Sequence, residues 1–363
     1  MKQLHTTFAS IIFFVVFSLS LSAQYTIPVV VHVIHNNGPE NISDTLVLDA
    51  IAEVNRNFNA QNAGLAGVAS PFVSVVGNMQ IEFCLAHTDP QGLATSGIEH
   101  VVSPLTYRGD SDAVKIGQWP SDRYLNIWVV DSLRPADLVS YLPGRATNPL
   151  QAVADTSKDG VVAGYFTFLP GQRGLLTNFI GQYFNLCNIW GNTNEPEVAC
   201  GDDSIADTPI TKGSMFMCDT SASFCNPPVV ENIQNFMNWS SCTCMFTAEQ
   251  VARVHRTLND SYAHRSHLWS QSNLAVTCAE PTGFHDPGAY AITAGPNPFT
   301  DEIVVHGLRP GACNIQLYDA QGRCVSHTED NILHVADLAS GVYAVVIKNN
   351  DMVRSIKVIK SQN

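Results

Sequence analysis

Three side-chain amides have a spacing that could bring them to one point. Asn178 and Gln182 are four residues apart, and Asn188 follows six residues later, in the stretch LLTNFIGQYFNLCNIWG of residues 175–191. Residues four apart share one face of an α-helix, which is how a helix presents two ligands to one metal ion. Amide oxygens are neutral donors that hold zinc poorly beside imidazole or thiolate. The stretch has no histidine and no carboxylate. The spacing of the three amides therefore suits a metal site, but the chemistry of their side chains does not.

The elements that must position these amides are recognisable from their patterns. A β-rich run at 25–35 predicts a buried strand, and further strands are predicted at 79–86 and 124–130. Capped amphipathic helices are predicted at 43–58 and 247–262. The amide stretch itself is predicted to be a third helix, and on its own it would equally suit an amphipathic core helix.

Composition and charge narrow the class of protein. The chain has 363 residues, 45% of them apolar, and a formal net charge of −13 without a cluster of Lys or Arg. Nucleic acid and anionic membrane are therefore excluded as expected partners. Residues 1–23 have a lysine-bearing start, an apolar run and small residues at the end, which predicts a cleaved signal peptide. The alternative is a membrane anchor, but the run is short for a span and no other segment could cross a bilayer.

The surroundings of the amides resemble the pappalysin family of secreted metzincin zinc proteases. That clan carries the pattern HExxHxxGxxH, in which three histidines bind zinc and the glutamate takes a proton from the bound water. Here the pattern aligns with NFIGQYFNLCN, and IPVVVHVIH, YLNIWVV, CGDDSIADTP and NFMNWSSCTCMFTAEQ occur in the family's order. The resemblance covers residues 25–278. It implies an α/β (α+β) metzincin-like domain with a mixed, twisted sheet and an active-site helix.

The departures from the family pattern fall on its chemistry. The zinc-ligand positions, the glutamate, the turn glycine and the transition-state tyrosine are replaced, while the methionine of the turn below the site remains: Asn178, Gln182, Asn188, Phe179, Asn185, Trp239 and Met237. A site without its metal and its base lacks both groups that activate water. We therefore expect no bound zinc and no catalysis, with the amides hydrogen-bonded to one another or to a trapped water instead.

An acidic loop and a group of cysteines form a second candidate site. The resemblance implies a calcium-binding or structural role for Asp202, Asp203 and Asp207. Carboxylates suit calcium, but they would equally cap turns in a solvated loop. The resemblance also suggests two disulfides, Cys200 with Cys225 and Cys218 with Cys242 or Cys244. A further bridge between Cys187 and Cys244 could replace zinc as a local staple.

The composition shifts to Pro, Gly and Ala at 279–294, which predicts a linker. Residues 295–363 contain short alternating strands separated by turns, the pattern of a small β-sandwich. GPNPFTDEIVV and LASGVYAVVI resemble the C-terminal sorting domain of type IX secretion; the alternative is an ordinary immunoglobulin-like module. The resemblance implies the secretion machinery as a partner, export through the outer membrane, and a secreted or cell-surface location.

Three functions follow from the sequence. In the first, the cleft binds an extended peptide or protein at an edge strand without cleaving it. In the second, the protein is an active zinc-dependent endopeptidase that uses ligands not recognised here. In the third, it is a structural component of the cell surface. Bound zinc and chelator-sensitive cleavage would separate the second function from the others.

Overall fold

A computed structural model describes most of the chain. The described ranges are 25–133, 142–191, 195–279, 293–306, 314–328, 330–349 and 352–361. The predicted signal peptide lies outside these residues, as does the predicted linker except for residues 279, 293 and 294. The chain divides into two compact units between residues 281 and 282.

The first unit mixes strands and helices. Its strands are β1 (Tyr25–His35), β2 (Val76–Gly77), β3 (Ile81–Leu85), β4 (Ile98–Val102), β5 (Leu125–Val130), β6 (Gly144–Ala146), β7 (Val161–Gly164), β8 (Met215–Phe216), β9 (Trp239–Ser240) and β10 (Phe246–Thr247). Its α-helices are α1 (Asp44–Phe58), α2 (Pro149–Ala154), α3 (Arg173–Tyr183), α4 (Ala248–Asn259), α5 (Arg265–Leu268) and α6 (Gln271–Thr277). Short 3₁₀ turns occupy Ala63–Gly67, Ser70–Val75, Pro104–Arg108, Asp112–Val114, Thr156–Lys158, Tyr165–Phe168 and Tyr262–His264.

The main sheet is mixed, as the fold class predicts. Strand β1 runs parallel to β3, β4 and β5, and β5 runs parallel to β7. Strand β6 closes the order β3-β1-β5-β7-β6 and is antiparallel to β7. Parallel strands covered on both faces are apolar along their whole length, and ten of the eleven residues of β1 are buried. Helices α1 and α3 pack against one another on one side of this sheet.

Polar bonds tie the start and middle of α3 to α1. The guanidinium of Arg173 donates to a carboxylate oxygen of Glu53 at 2.8 Å, and its Nε donates to the carbonyl of Phe168 at 2.9 Å. One turn further, Nδ2 of Asn57 donates to Oγ1 of Thr177 at 2.9 Å. These bonds are buried or partly buried, and such bonds are costly to break because each unpaired partner would stay desolvated. They fix the rotation of α3 about its own axis.

A buried ion pair holds the end of α3. Arg265 and Asp159 are 0% and 2% exposed, and the guanidinium donates to both carboxylate oxygens at 2.7 and 2.8 Å. The guanidinium carbon also lies 3.6 Å from the centre of the Tyr183 ring. Burial raises the pKa of Tyr183, whose hydroxyl has no hydrogen-bond partner among the described residues. The last residue of α3 is therefore anchored to α5 by a charged stack rather than by packing alone.

Three disulfides join distant parts of the first unit. Cys200 bonds to Cys225 and Cys218 to Cys242, which confirms the first predicted pair and selects Cys242 over Cys244 for the second. The third joins Cys84 to Cys278 across 194 residues, a pairing that the sequence analysis missed. It ties the end of β3 to the residue that follows α6.

The second unit is entirely β in its described residues. Strands β11 (Thr293–Gly295), β12 (Glu302–His306), β13 (Asn314–Tyr318), β14 (Cys324–Thr328), β15 (Ile332–His334), β16 (Gly341–Asn349) and β17 (Met352–Lys360) form the sheets β11-β12-β15 and β14-β13-β16-β17. Ile303 and Leu333 of the first sheet and Leu317 and Val345 of the second share one buried core. Two antiparallel sheets with a shared core make the predicted β-sandwich.

Among the described residues, no helix has the length and apolar character needed to cross a bilayer.

Replacing Arg265 with Met should destabilise the first unit by about 3–5 kcal/mol, because the carboxylate of Asp159 would stay buried without a counterion. All five tryptophans lie in this unit, so their fluorescence during urea unfolding reports on it alone. The double variant R265M/D159N removes both charges and should recover much of the loss. R108M, at an exposed ion pair, is the control that should change little. An R265M protein that unfolds at the wild-type urea concentration would contradict the anchoring role.

Candidate functional site

The three amides meet as the sequence predicts, and they bond to each other. Nε2 of Gln182 donates to Oδ1 of Asn178 at 2.7 Å and to Oδ1 of Asn188 at 3.2 Å. Nδ2 of Asn178 donates to Oδ1 of Asn188 at 3.2 Å and to the carbonyl of Phe236 at 2.9 Å. Asn178 is fully buried. We call these three hydrogen-bonded side chains the amide triad.

Phe179 stands beside the amide triad where the family pattern has its glutamate. The ring is 1% exposed and belongs to the main core. It lies against β6 so closely that a Cβ added to Gly144 would be 2.4 Å from ring atom Cε2. The phenyl ring therefore fills the space between α3 and the edge strand, and the position offers no group that can carry a proton.

The turn after α3 and the methionine below it keep their expected geometry. Asn185 has φ of 75°, a left-handed conformation that asparagine tolerates better than most non-glycine residues. The chain can therefore turn there without the glycine of the family pattern. Met237 is fully buried under α3, where a Cβ added to Gly181 would be 2.7 Å from its sulfur. The carbonyl of Met237 accepts from the backbone of Ile189 at 3.1 Å, which positions Asn188 beside it.

Trp239 forms one wall of the site. Its ring meets that of Trp190 edge to face, with centroids 5.4 Å apart. The indole Nε1 of Trp239 is buried and has no hydrogen-bond partner among the described residues. The side chain is partly exposed, so it borders the cleft without closing it.

A cavity of about 340 Å³ opens beside the amide triad. It is lined by Leu142, Ala146, Asn148, Gln151, Gln182, Leu186, Asn188, Trp190, Gly191, Glu195, Pro196 and Trp239. We call it the amide pocket. Its size suits a small-molecule or side-chain ligand. Asn148, Gln151 and Trp190 were not identified as site residues from the sequence. The available signal was the pair Asn148-Pro149, which marks the start of a helix and so places the amides of Asn148 and Gln151 at the start of α2.

The donor set does not fit zinc. Zinc sites in proteins use thiolate, imidazole or carboxylate, and the three positions carry neutral amides that hydrogen-bond to one another. Across the part of the chain that the structure describes, no group of three His, Cys, Asp or Glu is placed to hold a metal ion. The amide triad thus occupies the ligand positions with neutral hydrogen-bonding groups.

The carboxylates of the acidic loop accept hydrogen bonds from donors within the protein. Asp207 accepts from Oγ1 of Thr247 at 2.6 Å and from the backbone of Glu249 at 2.9 Å, so it caps the start of α4. Asp203 accepts from Oγ1 of Thr208 at 2.5 Å, and Asp202 accepts from the backbone within its own turn. The carboxylates of Asp202, Asp203 and Asp207 are directed to different partners, because backbone donors in the loop and at the helix start compete for them. These bonds are those of the structural role, and calcium binding at the loop stays a prediction.

The expected bridge between Cys187 and Cys244 is wrong. Cys244 keeps a free, buried thiol. The side chain of Cys244 packs against Gly64. A Cβ added to Gly64 would lie 2.6 Å from the Cβ of Cys244. Nε2 of Gln234 lies 3.9 Å from the sulfur. Burial raises the pKa of this thiol to about 11, which keeps it protonated and unreactive at neutral pH.

Asp203 should make the stability of the protein depend on pH. Burial raises its pKa to about 6, against the lowering effect of the bonds from Thr208 and Ile205. The folded state therefore holds the proton more tightly than the unfolded state, so its stability falls as pH rises from about 4 through 6. D203N is neutral throughout. It should match the wild type near pH 4 and exceed it by about 1–3 kcal/mol at pH 7.5 in urea unfolding.

The exposed neighbour Asp202 provides the control for this experiment. Its carboxylate makes one local backbone bond, and D202N keeps an oxygen that can accept it. The pH profile of D202N should follow that of the wild type. Equal stability of D203N and wild type at pH 7.5 would show that Asp203 carries no burial penalty.

Comparison with known proteins places this site in a family. Residues 108–259 match the peptidase M43 family model, described as pregnancy-associated plasma protein-A. Residues 295–361 match the secretion system C-terminal sorting domain. Extracellular metalloproteases of Arthroderma benhamiae and Trichophyton verrucosum are each 25% identical over 243 residues, covering 65% of this chain and 79% of each relative.

Solved structures match more than two thirds of the chain. Mature mirolysin of Tannerella forsythia, in complex with a cleaved peptide, is 32% identical, with 69% of this chain and 98% of that chain aligned at a TM-score of 0.58. Mirolysin in complex with compound 9 is 30% identical, with 70% and 99% aligned at 0.59. The sorting domain marks the protein for type IX export through the outer membrane, to the cell surface or beyond. The 32% identity to mature mirolysin extends over 98% of that chain. The present chain therefore belongs to the pappalysin family of secreted metallopeptidases.

Proposed function

We propose that this protein binds an extended peptide or protein segment in its cleft and does not hydrolyse it. The amide triad is the observation that carries the proposal. In a zinc peptidase those three positions activate water through the metal. Here their donors and acceptors are largely used within the protein. A ligand can enter such a cleft without meeting an activated nucleophile.

The position of the catalytic base supports the same conclusion. A general base must lie within hydrogen-bond reach of the proton that it removes. Phe179 offers a hydrocarbon ring that is packed under β6. Gaining a base at this point would require a buried carboxylate in an apolar space, which costs several kcal/mol. The chain therefore lacks a metal-binding set and a base in the same place.

The cleft keeps two features that suit peptide binding. Strand β6 is the last strand of the sheet, and among the described residues it pairs only with β7. Its other edge can accept main-chain hydrogen bonds from an extended peptide. The amide pocket begins at the end of this strand, because Ala146 belongs to both. Mirolysin has been solved with a cleaved peptide, and a peptide in this cleft could lie in a comparable place.

The metal content of the purified chain tests the proposal. After mild dialysis, elemental mass spectrometry should find well under one zinc per chain, because neutral amides compete poorly for zinc. The matched variant N178H/Q182H/N188H restores imidazoles at the three positions and should hold close to one zinc per chain. It keeps Phe179, so it should still leave peptides uncleaved. Comparison of the wild type with this variant shows whether zinc is absent because the ligands are replaced or because the cleft itself is lost.

Two results would overturn the proposal in favour of an active endopeptidase. One is stoichiometric zinc in the wild type. The other is cleavage of a mixed fluorogenic peptide library that a chelator abolishes. If the protein neither cleaves nor binds any member of a displayed peptide library, peptide binding is wrong and the structural surface component is the better description.

A further inference from the structure

The amide pocket has polar atoms that the amide triad does not use. Gln182 gives its Nε2 to the triad, and Asn188 gives its Oδ1. Oδ1 of Asn188 accepts two bonds, while Oε1 of Gln182 and Nδ2 of Asn188 make none within the described residues. Both residues line the pocket and are partly exposed. Gln182 thus has an unused acceptor, and its neighbour Asn188 has an unused donor.

The rest of the pocket adds apolar walls and little charge. Trp239, Leu142 and Leu186 supply aromatic and aliphatic surface. The oxygens of Asn148 and Gln151 are occupied in the capping box of α2, which leaves their NH₂ groups as donors. Among the described lining residues, Glu195, exposed at the rim, is the one with an ionisable side chain.

We propose that the amide pocket selects an uncharged side-chain carboxamide, that of glutamine or asparagine, in the bound peptide. This inference rests on the proposed function, since it names the residue that the bound peptide presents. The ligand's NH₂ donates to Oε1 of Gln182, and its carbonyl accepts from Nδ2 of Asn188. A carboxamide has both a donor and an acceptor, so it satisfies both atoms at once. Its methylene stem packs on the indole of Trp239.

Charged and alkyl side chains leave at least one of these atoms unsatisfied. A carboxylate only accepts, so it would set its lone pairs against Oε1 of Gln182 and its charge against Glu195. An ammonium or guanidinium only donates, so Nδ2 of Asn188 would be buried without an acceptor. An alkyl group satisfies neither atom. Sites built to hydrogen-bond a ligand reject analogues that lack the bond, because the buried polar groups then stay unpaired.

A displayed library of random heptapeptides, panned against the full chain, provides the first test. The recovered peptides should share glutamine or asparagine at one fixed position. A synthetic heptapeptide of the recovered sequence, with Gln, Glu, Lys or Leu at that position, then gives affinities by calorimetry. The Gln peptide should bind at least about 10-fold more tightly than the other three, as expected for one lost buried hydrogen bond.

The variant N188D tests the donor itself. It keeps Oδ1, so the triad bonds from Asn178 and Gln182 remain, but it replaces Nδ2 with a second acceptor. The Gln peptide should lose its advantage over the Leu peptide by about 10-fold, the Lys peptide should gain affinity, and the Glu peptide should bind no better than before, because its charge now faces a second carboxylate. Q271E makes the same amide-to-acid change at the start of α6, on an exposed side chain outside the pocket. It should leave the affinities within about twofold of the wild type, and its circular dichroism, like that of N188D, should match the wild type.

Each outcome decides between the two proposals. Recovered peptides without a carboxamide at a fixed position would overturn the selectivity while peptide binding stands. Gln selectivity that N188D leaves unchanged would also overturn it, since another group would then be the donor. If no peptide is recovered, the proposed function fails, and the selectivity fails with it.

Discussion

The whole site depends on one buried carboxamide. Asn178 is fully buried, and its NH₂ group and its oxygen are both bonded to protein atoms. A buried amide without partners would cost several kcal/mol, so Phe236, Gln182 and Asn188 must stay where they are. The partners are fixed in turn by the turn at Asn185 and the methionine below the helix. A buried amide that requires hydrogen-bond partners thus lies where the family's sequence pattern has a metal ligand.

The helix that carries Asn178 keeps its place without help from any ion. Arg173 and Asn57 fix its start and middle against α1, and Arg265 fixes its end through Tyr183. Each anchor is a charged or polar contact with little exposure to water, where such contacts resist rearrangement. A metal ion would add ligand bonds to the site but would not determine where the helix lies. The scaffold and the chemistry are therefore separable in this fold, and the cleft can persist when the ligand positions change.

Much of this could be predicted from the sequence, because the signals are local. The strand Tyr25–His35 and the helix Asp44–Phe58 follow from apolar periodicity and a serine cap. The amide triad follows from aligning the zinc-ligand pattern of the resembled family with the chain. The disulfide between Cys84 and Cys278 could not be predicted, since it joins residues 194 apart whose proximity is set by the folded sheet. The role of the acidic loop could not be decided from the sequence for a related reason. A carboxylate's role depends on which donors surround it, and the start of α4 reaches Asp207 only in the fold.

The proposed selectivity of the amide pocket follows from an asymmetry in how the three amides pair. In a ring where each carboxamide donates to the next, the nitrogen and the oxygen of every member would be bonded within the triad. Here Gln182 donates to Asn178 and Asn178 donates to Asn188, but Gln182 also donates to Asn188 instead of accepting from it. Oε1 of Gln182 and Nδ2 of Asn188 are therefore left without a partner in the triad, and both residues border the cavity. The orientation of these two side-chain amides thus determines which hydrogen-bonding groups face the ligand.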